Sequence, residues 1–230
     1  MLQQQYVELA ELAGGFIHEI KNHLSTLGLN LQLLAEDFGE AQSQRDRRAL
    51  ERIVRLQTEC GRLVQVSNDF LRFARVNELA RQPVQLGEVI EAMVDFFTPT
   101  ARQANIEIRS FLPADLPALS LDRDLFQQAL LNLMLNAEQA MPGGGELTIQ
   151  ATCDAAAGQV ELSLIDTGKG MSPEVTAKVF RPFFTTRPGG TGLGLPTVKK
   201  IIEAHGGAIA VQSEVDRGTK FTIRLPVEAS

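Results

Sequence analysis

Apolar residues at Leu9, Leu12, Phe16, Ile20, Leu24, Leu27, Leu31, Leu34 and Phe38 recur at steps of three and four. Side chains so spaced fall on one stripe of an α-helix, and this stripe is long enough to act as a coiled-coil-like seam. The spacing predicts one helix over residues 4–38. A polar connection follows over 39–46, and a second seam at Ala49, Ile53, Leu56, Cys60, Leu63, Ser67, Phe70 and Ala74 predicts a helix over 47–78. A lone hairpin of two such helices buries too little, because each seam needs a partner surface. Two hairpins combined into a four-helix bundle remove that exposure. A homodimer is the physical expectation.

The helical pattern breaks near Arg81-Gln-Pro83, since proline lacks an N–H and restricts the residue before it. The domain hinge is placed there, giving domains 1–80 and 81–230. A chain of 230 residues is comfortable for two domains. Beyond the hinge, strand patterns at 84–86, 106–111, 118–121, 146–152, 159–166, 208–214 and 219–225 alternate with helical patterns. The helices fall at 87–104, 122–140, 173–179 and 194–205. Mixed strands with helices on one face give an α/β sandwich, so the chain as a whole reads as α+β.

Composition narrows the function. An apolar share of 44% with 22% charged residues is ordinary globular material. The net charge of -6 and the lack of a Lys/Arg cluster argue against a nucleic-acid surface. No run of eighteen apolar residues and no signal-peptide pattern occurs in the chain, so no membrane segment is expected. Cys60 and Cys153 are too far apart in sequence to suggest a metal site or a disulfide framework, and a reducing cytoplasm fits.

Asp166-Thr-Gly-Lys-Gly-Met171 and, further on, Gly189-Gly-Thr-Gly-Leu-Gly-Leu195 are glycine-rich runs in an otherwise apolar region. Glycine permits positive φ and lets backbone N–H groups approach an anion closely. The second run opens onto a predicted helix whose N-terminus carries partial positive charge, and a phosphate is the obvious guest. Upstream, Leu130-Leu-Asn-Leu-Met-Leu-Asn-Ala-Glu-Gln-Ala140 places Asn132 and Asn136 one turn apart on one face of an apolar helix. Asparagine is a mediocre helix former, so the pair needs a reason. Two are open: buried amides satisfied by backbone, or a carboxamide oxygen coordinating a phosphate-bound Mg2+.

In this order the motifs resemble the ATP-binding (Bergerat-type) domain shared by histidine kinases, DNA gyrase, Hsp90-type chaperones and MutL. The asparagine helix looks like the family's N box, Asp166 to Met171 its first glycine box and Phe180-Arg-Pro-Phe-Phe184 its F box. Gly190 to Leu195 looks like its second glycine box, and Gly218-Thr-Lys-Phe-Thr-Ile-Arg-Leu-Pro226 its closing strand. At the other end, Phe16-Ile-His-Glu-Ile-Lys-Asn-His-Leu24 resembles the H box of sensor histidine kinases. His18 lies about 200° from Phe16 around the helix, away from the seam. Phe-Phe-Thr-Thr-Arg before the second glycine box is similar to the nitrogen-regulation-like subgroup.

The resemblance implies a dimerisation and phosphoacceptor domain followed by a catalytic ATP-binding domain, with ATP and Mg2+ as cofactors. It implies that Asp166 accepts the adenine exocyclic amine and that Thr219 assists, with Gly168, Gly170 and Met171 around the base. Asn136 is the expected Mg2+ ligand, Asn132 assists it, and Gln139 touches phosphate or ribose. Gly190, Thr191, Gly192, Leu193, Gly194 and Leu195 form the phosphate-facing lid, which Phe180, Phe183 and Phe184 hinge and pack. Arg187 stands where relatives often carry Lys. His18 attacks the γ-phosphorus, Glu19 orients its imidazole or accepts its other proton, and Asn22 positions water for dephosphorylation of a response regulator receiver domain, the expected partner.

One departure stands out. His23 occupies the place of the usual H-box proline, so the first helix is expected to run straighter. Without Glu directly after it, His23 is a poorer acceptor than His18. Two alternatives are a protein serine kinase acting as an anti-sigma switch, which would lack the helix pair, and a non-catalytic nucleotide-dependent scaffold. The expected location is cytoplasmic, either as the catalytic part of a longer receptor or as a kinase controlled by a separate protein.

Overall fold

A computed structural model describes residues 2–38, 43–74, 76, 79–154, 156–187 and 189–227, with side chains from residue 20 onward. It divides into two compact units, Met1–Arg75 with Arg187–Thr191, and Val76–Thr186 with Gly192–Ser230.

The first unit is a hairpin of α1 (Leu2–Asp37) and α2 (Gln44–Ala74). Helix α1 continues unbroken through His23. Helix α2 starts earlier than its seam predicts because Ser43 and Asp46 cap each other. The Asp46 N–H donates to Ser43 Oγ at 3.2 Å, and the Ser43 N–H donates to Asp46 Oδ2 at 3.1 Å. Of the second seam, Ile53, Ser67 and Ala74 are buried, whereas Leu56 and Leu63 stay 54% and 51% exposed. Leu27 and Leu34 on α1 are 53% and 43% exposed.

The second unit runs β1 (Gln82–Gln85), α3 (Leu86–Gln103), β2 (Ile106–Phe111), β3 (Ala118–Leu121), α4 (Arg123–Ala140), β4 (Gly145–Asp154) and β5 (Gln159–Asp166). It continues with α5 (Pro173–Thr176), α6 (Gly194–Ala204), β6 (Ala208–Glu214) and β7 (Gly218–Pro226). Strands β1 and β3 form a small antiparallel pair. The main sheet has the order β2-β4-β5-β7-β6, with β2 parallel to β4 and every other pairing antiparallel.

Alternation dictates the two faces of this sheet. Leu147, Ile149 and Ala151, then Val160, Leu162 and Leu164, then Phe221, Ile223 and Leu225 point into one core with Phe97, Phe126, Leu133, Met134 and Ile201 of the helices. The opposite face carries polar pairs, such as Arg224 with Glu161 at 3.0 Å and Arg109 with Glu146 at 3.0 Å. The result is a two-layer α/β sandwich, in keeping with the α+β expectation. Leu86, predicted to end a strand, instead opens α3, because it is fully buried and the extended residue before it serves as the cap. Helix α5 is a single turn capped by Ser172, shorter than the spacing predicts.

Candidate functional site

The candidate site forms at one end of the main sheet, where β5 stops at Asp166. The antiparallel register sets Asp166 directly opposite Thr219 on β7 and opposite Leu147 on β4. Directly opposed residues share a face with Cβ atoms about 4.5–5.5 Å apart. Asp166 and Thr219 are only 5% and 6% exposed. A carboxylate and a hydroxyl thus stand side by side in an apolar surround, where each needs hydrogen-bond partners. Asp166 Oδ1 accepts the Gly168 N–H at 2.9 Å.

The first glycine run is moulded to its neighbours. A Cβ on Gly168 would lie 2.7 Å from the Ala140 carbonyl oxygen, and the Lys169 N–H donates to that same oxygen at 3.0 Å. The run is therefore fastened to the C-terminus of α4, one turn beyond Asn136. Gly170 has φ 61° and Gly218 has φ 93°. A Cβ on either would run into a backbone carbonyl, that of Glu214 for Gly170 and that of Asp166 for Gly218. Met171 packs against the edge of the core.

On α4, Asn132 and Asn136 are half-buried on one face, and the Asn136 Nδ2 amide donates to the Asn132 carbonyl at 2.8 Å. With the nitrogen directed to the backbone, the amide turns its oxygen the other way, and a carboxamide oxygen suits a hard cation such as Mg2+. Gln139 is exposed beside them. Among the described residues no group of three or more His, Cys, Asp or Glu could hold a metal.

The second glycine run divides between the two units. Arg187 to Thr191 belong with the helical hairpin, where Thr191 Oγ1 donates to Asp69 Oδ2 at 2.9 Å. Gly192 onward belongs with the sheet. Gly192 has φ 68°, and its carbonyl accepts the N–H of Phe183, itself at φ 63°, at 3.0 Å. That pinch closes the base of the loop. A Cβ at Gly192 would sit 2.5 Å from the Phe183 carbonyl carbon. Leu193 is fully buried, and Thr197 fastens the first turn of α6 by donating its Oγ1 to the Leu193 carbonyl at 2.6 Å. Gly194 opens α6, where a Cβ would meet open space, and Leu195 packs against the core. Phe180 packs edge-on to Phe221 at 6.4 Å between ring centroids, with Lys199 Nζ over its ring at 5.8 Å. Phe184 is half-buried, but Phe183 is 61% exposed. Packing by the phenylalanines is thus carried by Phe180 and Phe184 rather than by all three.

Asn22 and His23 are exposed on α1. The side chains of His18 and Glu19 lie outside the described residues, and their backbone belongs to α1.

Two groups of residues escaped the sequence reading. Ser213 on β6 pairs with Thr219 in the same cross-strand row and bonds it at 2.9 Å. Its signal was present: Ile209, Val211 and Ser213 alternate inward, and the third is polar. His205 caps α6 and is 2% exposed. Its Nε2 accepts the Asp122 N–H at 2.9 Å and its Nδ1 lies 2.8 Å from the Ile201 carbonyl, so Nδ1 carries the proton. Asp122 caps α4 through Oδ1 and accepts the Ala80 N–H through Oδ2 at 2.9 Å. Arg81 Nη2 donates to the Ala204 carbonyl at 2.6 Å. Ala80 and Arg81 are thereby tied to the N-terminus of α4 and the C-terminus of α6. Burial, above all, pushes the His205 imidazole below its ordinary range, with Arg81 adding to this and the Ile201 carbonyl and Asp122 opposing it. Burial likewise lowers the Lys200 ammonium.

Residues 121–229 match the family described as Histidine kinase-, DNA gyrase B-, and HSP90-like ATPase. Over 226 residues, 98% of its length, the chain is 36% identical to the sensor histidine kinase ZraS of Escherichia coli (strain K12), of which it covers 47%. The chain thus spans about half the length of the ZraS relatives it matches. It is similar to full-length ShkA, solved in complex with AMPPNP, with TM-score 0.72 and 28% identity over 94% of this chain and 45% of that one. It is also similar to the mycobacterial sensor histidine kinase MprB, with TM-score 0.56 and 31% identity over 64% of this chain and 97% of that one.

Proposed function

The chain belongs to the histidine kinases, and on that premise we propose that it binds ATP with Mg2+ at the end of the main sheet and autophosphorylates on His18. The phosphoryl group then passes to an aspartate of a response regulator receiver domain. The observation that carries this reading is the buried Asp166–Thr219 pair beside the asparagine helix. A paired acceptor set of this kind recognises an exocyclic amine, while glycines of the first run let the chain curve against the base. The similar ShkA chain, solved with AMPPNP, supports the same assignment.

In this reading Asp166 and Thr219 hold adenine, with Gly168, Gly170 and Met171 shaping its walls. Asn136, assisted by Asn132, holds Mg2+, which offsets charge on the phosphates when bound. Gln139 and residues 190–195 contact phosphate or ribose. A neutral ring nitrogen of His18 attacks the γ-phosphorus, the bond to the β–γ bridging oxygen breaks, and ADP leaves. Glu19 takes the proton released from the other ring nitrogen, and the product is a phosphoramidate. Asn22 orients the water that hydrolyses the receiver's acyl phosphate.

The reading assigns residues 1–80 to dimerisation and phosphoacceptance and 81–230 to ATP binding. The homodimer is supported by the exposed leucines of both seams. No helix among the described residues is long and apolar enough to cross a membrane. A core that consumes ATP belongs in the cytoplasm, alone or as the inner part of a receptor. The test is γ-labelled ATP with the purified chain and its His18→Gln variant. Acid-labile, alkali-stable label that vanishes in the variant is expected. Label on serine would replace the reading with the anti-sigma type of switch, and nucleotide binding without label would replace it with a scaffold.

A further inference from the structure

The cross-strand row at the mouth of the candidate site does not end at Thr219. It continues to Ser213 on β6, which the register places directly opposite Thr219. Ser213 Oγ donates to the Gly218 carbonyl at 2.9 Å and lies 2.9 Å from Thr219 Oγ1. A serine hydroxyl has one proton, and a carbonyl can only accept. With that proton committed to Gly218, Ser213 is left as the acceptor toward Thr219. The Thr219 proton therefore points at Ser213, away from Asp166, and lone-pair density of Thr219 Oγ1 is what faces the carboxylate side of the row. Both residues presented to a bound base are then acceptors.

We propose that Ser213 is a specificity-positioning residue: by taking the Thr219 proton, it fixes Thr219 as a hydrogen-bond acceptor and so favours a 6-amino purine over a 6-oxo purine. This rests on the reading of Asp166 and Thr219 as the base-recognition pair. An exocyclic amine offers two N–H donors to two acceptors, whereas a 6-oxo group sets a third acceptor against them. Without Ser213, the Thr219 hydroxyl is released to rotate, and it can turn its proton toward a 6-oxo oxygen. The cost of the wrong base then falls. A hydroxyl that merely fastened the β6–β7 turn would act differently. Its loss would lower stability and weaken both nucleotides alike.

The experiment is calorimetric titration of ADP and GDP, each with Mg2+, into the full chain and its Ser213→Ala, Ser213→Thr and Thr219→Val variants. Wild type is expected to prefer ADP. Ser213→Ala should reduce the ADP/GDP affinity ratio by about threefold to tenfold, the worth of one neutral hydrogen bond. Ser213→Thr, which keeps the hydroxyl, should restore the ratio. Adding Ser213→Ala to Thr219→Val should change it no further, since the two residues act as one unit. An unchanged ratio in Ser213→Ala, with ADP still bound and Thr219→Val altering the ratio, overturns the role of Ser213 while leaving the nucleotide site intact. Wild type that binds neither nucleotide overturns the site assignment and this inference with it.

Discussion

Asp166 is a residue whose substitution should separate binding from folding. Its carboxylate is buried at the end of β5 and held by the Gly168 N–H. Asp166→Asn puts an amide N–H donor within a set that otherwise accepts, so ADP affinity should fall by about 1–3 kcal/mol, roughly fivefold to 150-fold, with only a small change in melting temperature. Calorimetry and a thermal melt check both halves. His205 works in the opposite sense, on stability. Its folded-state pKa is lowered, chiefly by burial, so the unfolded chain binds a proton in a range where the folded chain does not. Its stabilising contribution is then complete above the unfolded value of about 6.5 and is lost as pH falls through the folded pKa. Protonation would also set an Nε2–H against the Asp122 N–H. Chemical denaturation as a function of pH should show stability declining below about pH 6.5, and His205→Gln should flatten that decline. Asn22, exposed on α1, should tolerate alanine without loss of autophosphorylation while receiver dephosphorylation slows. Equal loss of both rates would remove its separate role.

Glycines distinguish elements that need positive φ from those that do not. Gly218 opens β7 at φ 93°, with the Asp166 carbonyl where a Cβ would go. Gly218→Ala should cost more than the ~1–2 kcal/mol of an L residue in the left-handed region, because the strand end that carries Asp166 must also move. Gly194, the first residue of α6, faces open space. Gly194→Ala should leave stability unchanged or raise it by up to about 1 kcal/mol through helix propensity. Paired melts of the two variants make the comparison. Much at this scale was legible in the sequence. Strands at 106–111, 118–121, 159–166 and 208–214 were fixed by alternation between turn residues. Less legible were features set by register and capping. Ser213 joined the candidate site only through its pairing with Thr219, Asp122 Oδ2 met its Ala80 partner through a contact distant in sequence, and the start of α2 was set by the Ser43–Asp46 box. Local spacing carries periodicity, but it does not say which strand lies beside which.

At the scale of the whole molecule, the hairpin seam is a large apolar feature left uncovered among the described residues. Leu27 and Leu34 are seven residues apart on α1, as are Leu56 and Leu63 on α2, so each pair repeats one heptad position. All four are roughly half exposed in the single chain. Full burial of a leucine is worth about 1.5–3 kcal/mol, so covering the exposed half of these four from each of two chains contributes roughly 6–12 kcal/mol, comparable to the cost of association. The same seam underlies the expectation of a four-helix bundle formed by two hairpins. Replacing Leu56 and Leu63 together with glutamate would require burying two carboxylates per chain in an apolar seam, a larger penalty than the apolar gain. Sedimentation velocity should show the wild type as a dimer and the double variant as a monomer. The variant's affinity for ADP should stay near wild type, because Asp166, Thr219, Asn132 and Asn136 all belong to the second unit. A variant that remained dimeric would place the association surface elsewhere and leave the exposed seam without a partner.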